Sequence, residues 1–292
     1  MKKVSRILAL AVSVAVLPMV ALQARTMIQN KGSDTLVNVA QAWAEAYQKV
    51  KPDVAIAVTG GGSGTGFAAL LNGTVELANA SRAISEKEKK LAAEKKIDPK
   101  EYTVGFDALG VFVHKSNPLE SISLTQLAEM YGDGGTLTSW DKLKVTVPGC
   151  KDGKVILVSR QNNSGTYEYF REAVLGKRDF VMGTKDLHGS KDVVDLVAHT
   201  PCAIGYSGMA YATSDIKMLK ISAKEGDTPI EGTMDTAISR VYPIARPLFM
   251  YTNGEPTGDL KAYLDYIMSD IGQCVLQNTG FAPVRKIPCA KP

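Results

Sequence analysis

Several residue types that carry chemistry are scarce in this chain of 292 residues. It has only three histidines, His114, His188 and His199, which are scattered, and its cysteines form no C-x-x-C pair. We therefore assign the histidines no role and predict no metal site. No serine lies in a G-x-S-x-G motif, and Gly60–Gly66 holds neither a G-x-G-x-x-G pattern nor a Walker lysine. These absences argue against serine hydrolases and nucleotide-dependent enzymes, so we expect no catalytic residues, no cofactor and no enzyme.

A strong excess of charge of one sign is also missing. The chain has 34 basic and 30 acidic residues, a net charge of +4. Residues 1–24 contain three basic and no acidic residues, so the remainder has 31 basic residues against 30 acidic ones. A nearly neutral protein is a poor ligand for nucleic acid, and we expect no nucleic-acid partner. The length is sufficient for two domains.

Residues 1–24 have the composition of a secretory signal peptide. Lys2, Lys3 and Arg6 precede an apolar run over Ile7–Val20, and Ala21–Ala24 matches the A-x-A cleavage pattern. No cysteine lies near the cleavage site, so we expect no lipid anchor. The mature protein is expected in the periplasm.

Two Ser-Gly-Thr tripeptides, 101 residues apart, occur in matching contexts. Ser63-Gly64-Thr65 follows the apolar run 54–58, Ser164-Gly165-Thr166 follows 155–158, and a helical pattern follows each. A strand that turns into a helix leaves backbone N–H groups free at the positive end of the helix dipole. One such tripeptide is more often only a turn with a helix cap. Two of them predict two lobes that each contribute half of an oxyanion site.

Further polar residues are expected at the same cleft. Ser33, Asp34 and Thr35 begin the first helix, Ser81 and Arg82 follow a strand at 75–78, and Arg160 ends the strand before the second turn. Hydroxyl groups, helix N-terminal N–H groups and a guanidinium supply the donors that a tetrahedral oxyanion requires. The plainer alternatives are that Ser33 or Asp34 only caps the helix and that Arg82 forms a surface ion pair.

Strands and helices alternate along the chain, which predicts an α/β architecture with largely parallel sheets. Strands are predicted at 27–31, 54–58, 75–78, 104–113, 155–158, 203–206 and 244–251, the last interrupted by Pro247. Helices are predicted at 36–50, after each Ser-Gly-Thr, from a Ser85–Glu88 capping box to 96, at 124–130, from a Ser190 cap to 197, and at 260–271. In such sheets ligands bind at the carboxyl ends of strands, where both tripeptides lie.

Four sequence motifs together resemble the periplasmic phosphate-binding proteins of ABC-type phosphate importers. They are Gly32-Ser33-Asp34-Thr35-Leu36, Gly62-Ser63-Gly64-Thr65-Gly66, Ala80-Ser81-Arg82 and Arg160-x-x-x-Ser164-Gly165-Thr166. The resemblance extends from about Ile28 to Val284. It implies a two-lobed periplasmic binding protein fold of type II. Each lobe would be a mixed, largely parallel sheet flanked by helices, with the ligand in the interlobe cleft.

The expected lobes are residues 25–112 with 245–292 as lobe 1, and residues 113–244 as lobe 2. The four cysteines allow three pairings, among which the sequence does not choose. We favour Cys150–Cys202 and Cys274–Cys289, because each pair then lies within one lobe.

The resemblance also implies roles for individual residues. Thr35 and Leu36 would supply a hydroxyl and a main-chain N–H, Ser63 would donate from the first turn, and Arg160, Ser164, Gly165 and Thr166 would close the site. Well-known members have an aspartate where this chain has Arg82, and that aspartate accepts a hydrogen bond from protonated phosphate. Our hypothesis is that Asp34 supplies the missing acceptor and that Arg82 adds a second cationic donor.

These residues predict a monomeric periplasmic receptor that captures inorganic phosphate and delivers it to a membrane ABC permease. Two alternatives remain open at this point. One is a receptor for another tetrahedral oxyanion such as sulfate, because Arg82 weakens the argument for phosphate. The other is a secreted hydrolase of phosphoesters.

Overall fold

A nine-stranded mixed sheet runs through the whole of the computed structural model, which describes residues 25–289. The predicted signal peptide lies outside these residues. The strands are β1 (Thr26–Gly32), β2 (Val54–Thr59), β3 (Leu77–Ala80), β4 (Pro99–His114), β5 (Ser121–Ser123), β6 (Ile156–Arg160), β7 (Lys185–Leu187), β8 (Ala203–Gly208), β9 (Ile216–Met218), β10 (Lys220–Ser222) and β11 (Ala245–Asn253). Nine of them form the main sheet, and β5 and β10 pair in parallel as a separate two-stranded sheet. The helices are α1 (Val37–Val50), α2 (Ser63–Leu71), α3 (Glu86–Glu94), α4 (Leu124–Tyr131), α5 (Gly165–Ala173), α6 (Ser190–Ala198), α7 (Met234–Ile238), α8 (Gly258–Met268) and α9 (Asp270–Asn278).

The strand order is β2-β1-β3-β11-β4-β8-β6-β7, and β9 pairs with β4. Parallel pairing joins β2, β1 and β3 at one end, and β8, β6 and β7 at the other. Between these groups, β11 and β4 are antiparallel to their neighbours and to each other. This confirms the predicted α/β fold with parallel strands in each half of a mixed sheet. None of the helices within 25–289 has the length and apolar character needed to cross a membrane.

The two halves of the sheet have separate hydrophobic cores. One core packs α1, α8 and α9 against β1 and β3, with Trp43 fully buried and Tyr47 nearly so. The largest cluster of the other half includes Leu127, Trp140 and Tyr206. The shared strand β4 has 16 residues, and all six residues from Ala108 to Val113 are buried. This arrangement supports the proposed division into two lobes, which β4 and β11 join as crossing strands.

Both predicted disulfides are confirmed. Cys150 is bonded to Cys202 and Cys274 to Cys289, so each bridge links residues of one proposed lobe. No free cysteine occurs among the residues that the structure describes. The bridges are compatible with an oxidising compartment.

Three helix boundaries differ from the prediction. Neither Ser33 nor Asp34 caps α1, which begins at Val37 after Leu36 without a side-chain cap. Ser190 is the first residue of α6 rather than its cap, which is Gly189. The last predicted helix is two helices, because Ser269 ends α8 and caps α9. Its hydroxyl accepts a hydrogen bond from the backbone N–H of Gly272, and Ile271 in the first turn of α9 is 65% exposed.

Two features within elements bear on the site. The Ser85–Glu88 capping box at the start of α3 is present, as predicted. Pro247 does not interrupt β11, which pairs with β4 from Ala245 to Asn253. The irregularity there is a shift in register between Leu248 and Phe249.

Candidate functional site

The two Ser-Gly-Thr turns contact each other across the cleft between the lobes. The backbone N–H of Gly64 donates to the carbonyl of Asn163 at 3.0 Å. A Cβ added to Gly62 would lie 2.5 Å from that carbonyl oxygen, and one added to Gly165 would overlap with Oγ of Ser63. Gly62 also has a φ of +92°, which side chains rarely adopt. The turns approach this closely because glycine occupies these positions.

Buried hydroxyl groups form a network around the contact. Ser33 Oγ donates to Ser81 Oγ at 2.9 Å, and the backbone N–H of Ser81 donates to Ser63 Oγ at 3.1 Å. The hydroxyls of Thr35 and Thr166 share a hydrogen bond of 2.9 Å between the lobes. All five side chains are at most 1% exposed. The structure therefore brings together five of the predicted site residues from four separate segments of the chain.

An ion pair between Asp34 and Arg160 joins the lobes beside this network. Arg160 Nη2 lies 3.0 Å from Asp34 Oδ2, and the backbone N–H of Gly61 donates to Asp34 Oδ1 at 2.8 Å. Arg160 also donates to the carbonyl of His188, at 3.2 Å from Nε and 2.8 Å from Nη2, and to Ser190 Oγ at 2.9 Å from Nη1. Burial lowers the pKa of Arg160, and Asp34 opposes this shift. Ser190, which does not cap its helix, thus positions the guanidinium.

The remaining predicted residues have local partners. Ser164 caps α5 and accepts from the backbone N–H of Thr166 at 3.2 Å. Leu36 is fully buried, and its backbone N–H, which was expected to serve the ligand, donates to the Ser33 carbonyl at 3.0 Å. A ligand that uses this N–H has to replace that bond.

Arg82 belongs to a different set of contacts. Its Nη1 and Nη2 donate to the two carboxylate oxygens of Glu88 at 2.7 and 2.8 Å, and its Nε lies 2.5 Å from Glu168 Oε2 in the other lobe. Its guanidinium also lies 4.9 Å from the centre of the Phe67 ring. The ion pair that the plainer alternative expected is present, but Arg82 is only 8% exposed. Its contact with an oxyanion stays a prediction.

The charges around Arg82 shift one another's pKa values. Burial alone would lower the pKa of Arg82, but Glu88 and Glu168 outweigh burial and raise it. Burial alone would raise the pKa of Glu88, but Arg82 and Ser85 outweigh burial and lower it. The pKa of Glu168 is raised by burial, and Arg82 only partly offsets this. The ionised form of Glu88 is therefore stabilised by its surroundings, whereas the ionised form of Glu168 is not.

Sequence reasoning missed a second buried arginine, Arg246. It lies on β11 directly opposite Asp107 on β4, and neither side chain is exposed to solvent. Its Nη1 donates to Thr166 Oγ1 at 3.1 Å and to the Ser81 carbonyl at 3.3 Å, and its Nη2 donates to Thr35 Oγ1 at 3.4 Å. The available signal was a single charged residue within each of two apolar runs, at 104–113 and 244–251.

The site is therefore rich in hydrogen-bond donors and nearly balanced in charge. Two arginines face two aspartates, one pair between the lobes and one on the crossing strands. Within residues 25–289, the ring Nδ1 atoms of the three histidines bond to Ser116 Oγ, to Gln161 and to the Asp195 carbonyl, and none of these partners belongs to the hydroxyl network. The arrangement can hold an oxyanion.

Comparisons with known proteins agree with this geometry. The sequence model of the PBP superfamily domain matches residues 20–270. The chain is 34% identical over 268 residues to the phosphate-binding protein PstS of Pseudomonas aeruginosa, covering 88% of this chain and 83% of that protein. It is 32% identical to PstS of Bacillus subtilis, covering 87% of this chain and 79% of that one. A solved structure of a putative phosphate ABC transporter substrate-binding protein with bound phosphate, from Clostridium perfringens, matches with a TM-score of 0.78 at 26% identity, covering 89% of this chain and 100% of that one.

Proposed function

Because the chain belongs to the PBP superfamily and, within it, to the family of PstS phosphate-binding proteins, we propose that it captures inorganic phosphate between its lobes and delivers it to a membrane ABC permease. The family consists of substrate-binding proteins and not of enzymes. The observation that carries the proposal is the buried hydroxyl network in which Thr35 of one lobe meets Thr166 of the other.

Phosphate would be bound by exchange of hydrogen bonds within this network. When the lobes separate, Thr35 and Thr166 lose their shared bond, and each can donate to a phosphate oxygen instead. Arg160 Nη1 carries two hydrogens and donates one to Ser190, which leaves one for the ligand. Hydrogen bonds to a charged group contribute about 1.5–3 kcal/mol each. Four or five of them, beyond the cost of association, give micromolar or tighter affinity.

Asp34 is our candidate for the acceptor that recognises a protonated phosphate. Each of its carboxylate oxygens accepts one hydrogen bond, from Gly61 or from Arg160, and a carboxylate oxygen accepts about two. A phosphate that carries a proton can donate to the remaining lone pair. Sulfate at neutral pH has no proton to donate, so Asp34 would repel it.

The lobes and their movement are part of the proposal. We propose that lobe 1 comprises residues 25–112 and 245–292, that lobe 2 comprises residues 113–244, and that they rotate about β4 and β11. Ser33, Ser63, Ser81, Ser164 and Gly165 line the closed cleft with the two threonines. We also propose a cleavable signal peptide at 1–24, a periplasmic location and a monomeric state.

Calorimetric titration of phosphate-stripped residues 25–292 with phosphate, and then with sulfate, tests this function. We expect one phosphate per chain, with micromolar or tighter affinity, and no heat from sulfate. Tighter binding of sulfate would instead support the alternative of another oxyanion. Release of product from a phosphoester by the same preparation, lost in Ser63→Ala, would support a hydrolase. No heat from either anion contradicts the proposal.

A further inference from the structure

The buried pair of Arg246 and Asp107 lies where the two lobes are joined. Arg246 Nε and Nη2 donate to Asp107 Oδ2 at 3.1 and 2.8 Å, and the backbone N–H of Met209 donates to Asp107 Oδ1 at 3.1 Å. The centre of the Tyr169 ring lies 5.5 Å from the guanidinium carbon. The arginine is thus held on one edge by a carboxylate and on one face by an aromatic ring.

The remaining edge of the guanidinium points into the hydroxyl network. Nη1 makes no contact with Asp107 and donates instead to Thr166 Oγ1 and to the Ser81 carbonyl. These two partners belong to different lobes, and Thr166 is also the residue that meets Thr35. Arg246 therefore contacts the point where the two lobes meet.

A contribution to folding stability is a poor explanation for the presence of this buried ion pair. Burial of two charges costs free energy that their attraction offsets only in part, and apolar side chains of similar volume often serve as well. Burial also raises the pKa of Asp107, against the opposing effect of Arg246, so ionisation of Asp107 costs free energy in the folded protein. A planar cation with donors directed at a cluster of hydroxyls is the arrangement that recognises oxyanions.

We propose that Arg246 is a second guanidinium donor to the bound oxyanion and that Asp107 is the residue that positions it. This inference rests on the proposed function. On binding, Nη1 exchanges the hydroxyl of Thr166 for a ligand oxygen, while Asp107 keeps Nε and Nη2. The site then contains two arginines, Arg160 and Arg246, each neutralised by its own aspartate. A dianion is held by directed hydrogen bonds rather than by net positive charge.

Removal of both charges together tests the proposal without leaving either one unpaired. In Arg246→Gln/Asp107→Asn, the amide groups can still bond to each other and to the N–H of Met209, so we expect a cooperative unfolding transition. Its phosphate affinity, measured by calorimetry, should fall about tenfold or more, since a charge-assisted bond is lost. Arg285→Lys serves as the matched control, because Arg285 pairs with Asp270 at the surface, and its affinity should equal that of the wild type.

A folded double variant that binds phosphate within about twofold of the wild type overturns the proposal. If the double variant does not fold, Arg246→Lys is measured in the same way. It keeps the positive charge opposite Asp107 but loses the planar fork, and the same tenfold loss is expected. Failure of the wild type itself to bind phosphate contradicts the proposed function, and this inference with it. Failure of this inference alone, in which the wild type and the variant bind phosphate equally well, is therefore distinguishable from failure of the proposed function, in which the wild type does not bind phosphate.

Discussion

The two Ser-Gly-Thr turns have the same three residues and different roles. Ser63 is the first residue of α2, and its hydroxyl accepts from the backbone of Ser81. Ser164 is the residue before α5, and its hydroxyl caps that helix. The helix thus begins one residue later in the second turn. As a result Thr65 donates to the Gly62 carbonyl within its own turn, whereas Thr166 bonds to Thr35 in the opposite lobe.

The corresponding positions further along the helices differ as well. The fifth residue of the first unit is Phe67 and that of the second is Glu168, and both contact Arg82. One presents the face of an aromatic ring and the other a carboxylate. The comparison teaches that a local motif predicts a turn at a helix start. The role of each hydroxyl depends on where the helix begins and on what the other lobe presents.

The glycines of the two turns should give the largest contrast. A Cβ at Gly165 would overlap with Ser63 Oγ, whereas a Cβ at Gly64 would lie 3.3 Å from the Asn163 carbonyl oxygen. Overpacking of this kind costs about 1–3 kcal/mol, so Gly165→Ala should weaken phosphate binding about 10- to 100-fold by preventing closure. Gly64→Ala should weaken it less. Equal losses of affinity in calorimetry would mean that the two turns are equivalent.

The threonines provide a matched pair of substitutions. Thr166→Val removes a hydroxyl that bonds across the lobes and to Arg246, and we expect a loss of phosphate affinity of about tenfold. Thr65→Val removes a hydroxyl that bonds only within its own turn among the contacts found, and we expect a change of less than about threefold. Both are measured by titration with phosphate at neutral pH. The reverse order would contradict the assignment of the two turns.

A substitution of Asp34 tests whether this residue, in the same lobe as the first turn, makes the site prefer phosphate to sulfate. Asp34→Asn removes the negative charge but keeps the side-chain volume and an oxygen for Arg160. We expect phosphate affinity to fall about tenfold or less and sulfate binding to become measurable, because the repulsion of an unprotonated anion is relieved. Competition between phosphate and sulfate in one titration gives the ratio of their affinities directly. Unchanged phosphate affinity together with unchanged rejection of sulfate would show that the acceptor lies elsewhere.

The two carboxylates around Arg82 should differ in how their contributions to the free energy of unfolding depend on pH. The pKa of Glu88 is lowered in the folded protein, so its contribution is present above the ordinary pKa of a glutamate and is lost as the pH falls through the lowered value. Glu88→Gln should therefore reduce the free energy of unfolding by about 1–3 kcal/mol at pH 7, and by progressively less at acidic pH.

Glu168 carries the opposite shift. Its pKa is raised, so ionisation of Glu168 costs folding free energy, and the folded state is favoured as the pH falls. Glu168→Gln should therefore leave stability at pH 7 nearly unchanged. Denaturant unfolding between pH 3 and pH 7 compares the two variants. Equal destabilisation by both would contradict the assignment of Glu88 as the main partner of Arg82.

The sequence by itself determined most of the fold, and it indicated which hydroxyl groups lie together. Apolar runs and turns are local signals. They correctly predicted β1, β2, α2, the capping box of α3 and the position of both tripeptides at the start of a helix. The predicted hydroxyls of Ser33, Thr35, Ser63, Ser81 and Thr166 do lie in one network. Both disulfides are the pairings favoured by the proposed lobes, although the cysteine count alone allows three. Such features depend on residues close together in the chain, or on a topology that repeats within each lobe.

Only the tertiary structure decided which charged groups face each other. Arg246 and Asp107 are 139 residues apart, and Arg160 and Asp34 are 126 apart, so no local pattern pairs them. Arg82 was expected at the ligand, and the structure pairs its guanidinium with Glu88 and Glu168, which the sequence did not indicate. A buried charge must find its partner wherever the crossing strands and the opposite lobe bring one. The positions of the arginines therefore depend on the packing of the two lobes, which a linear pattern does not contain.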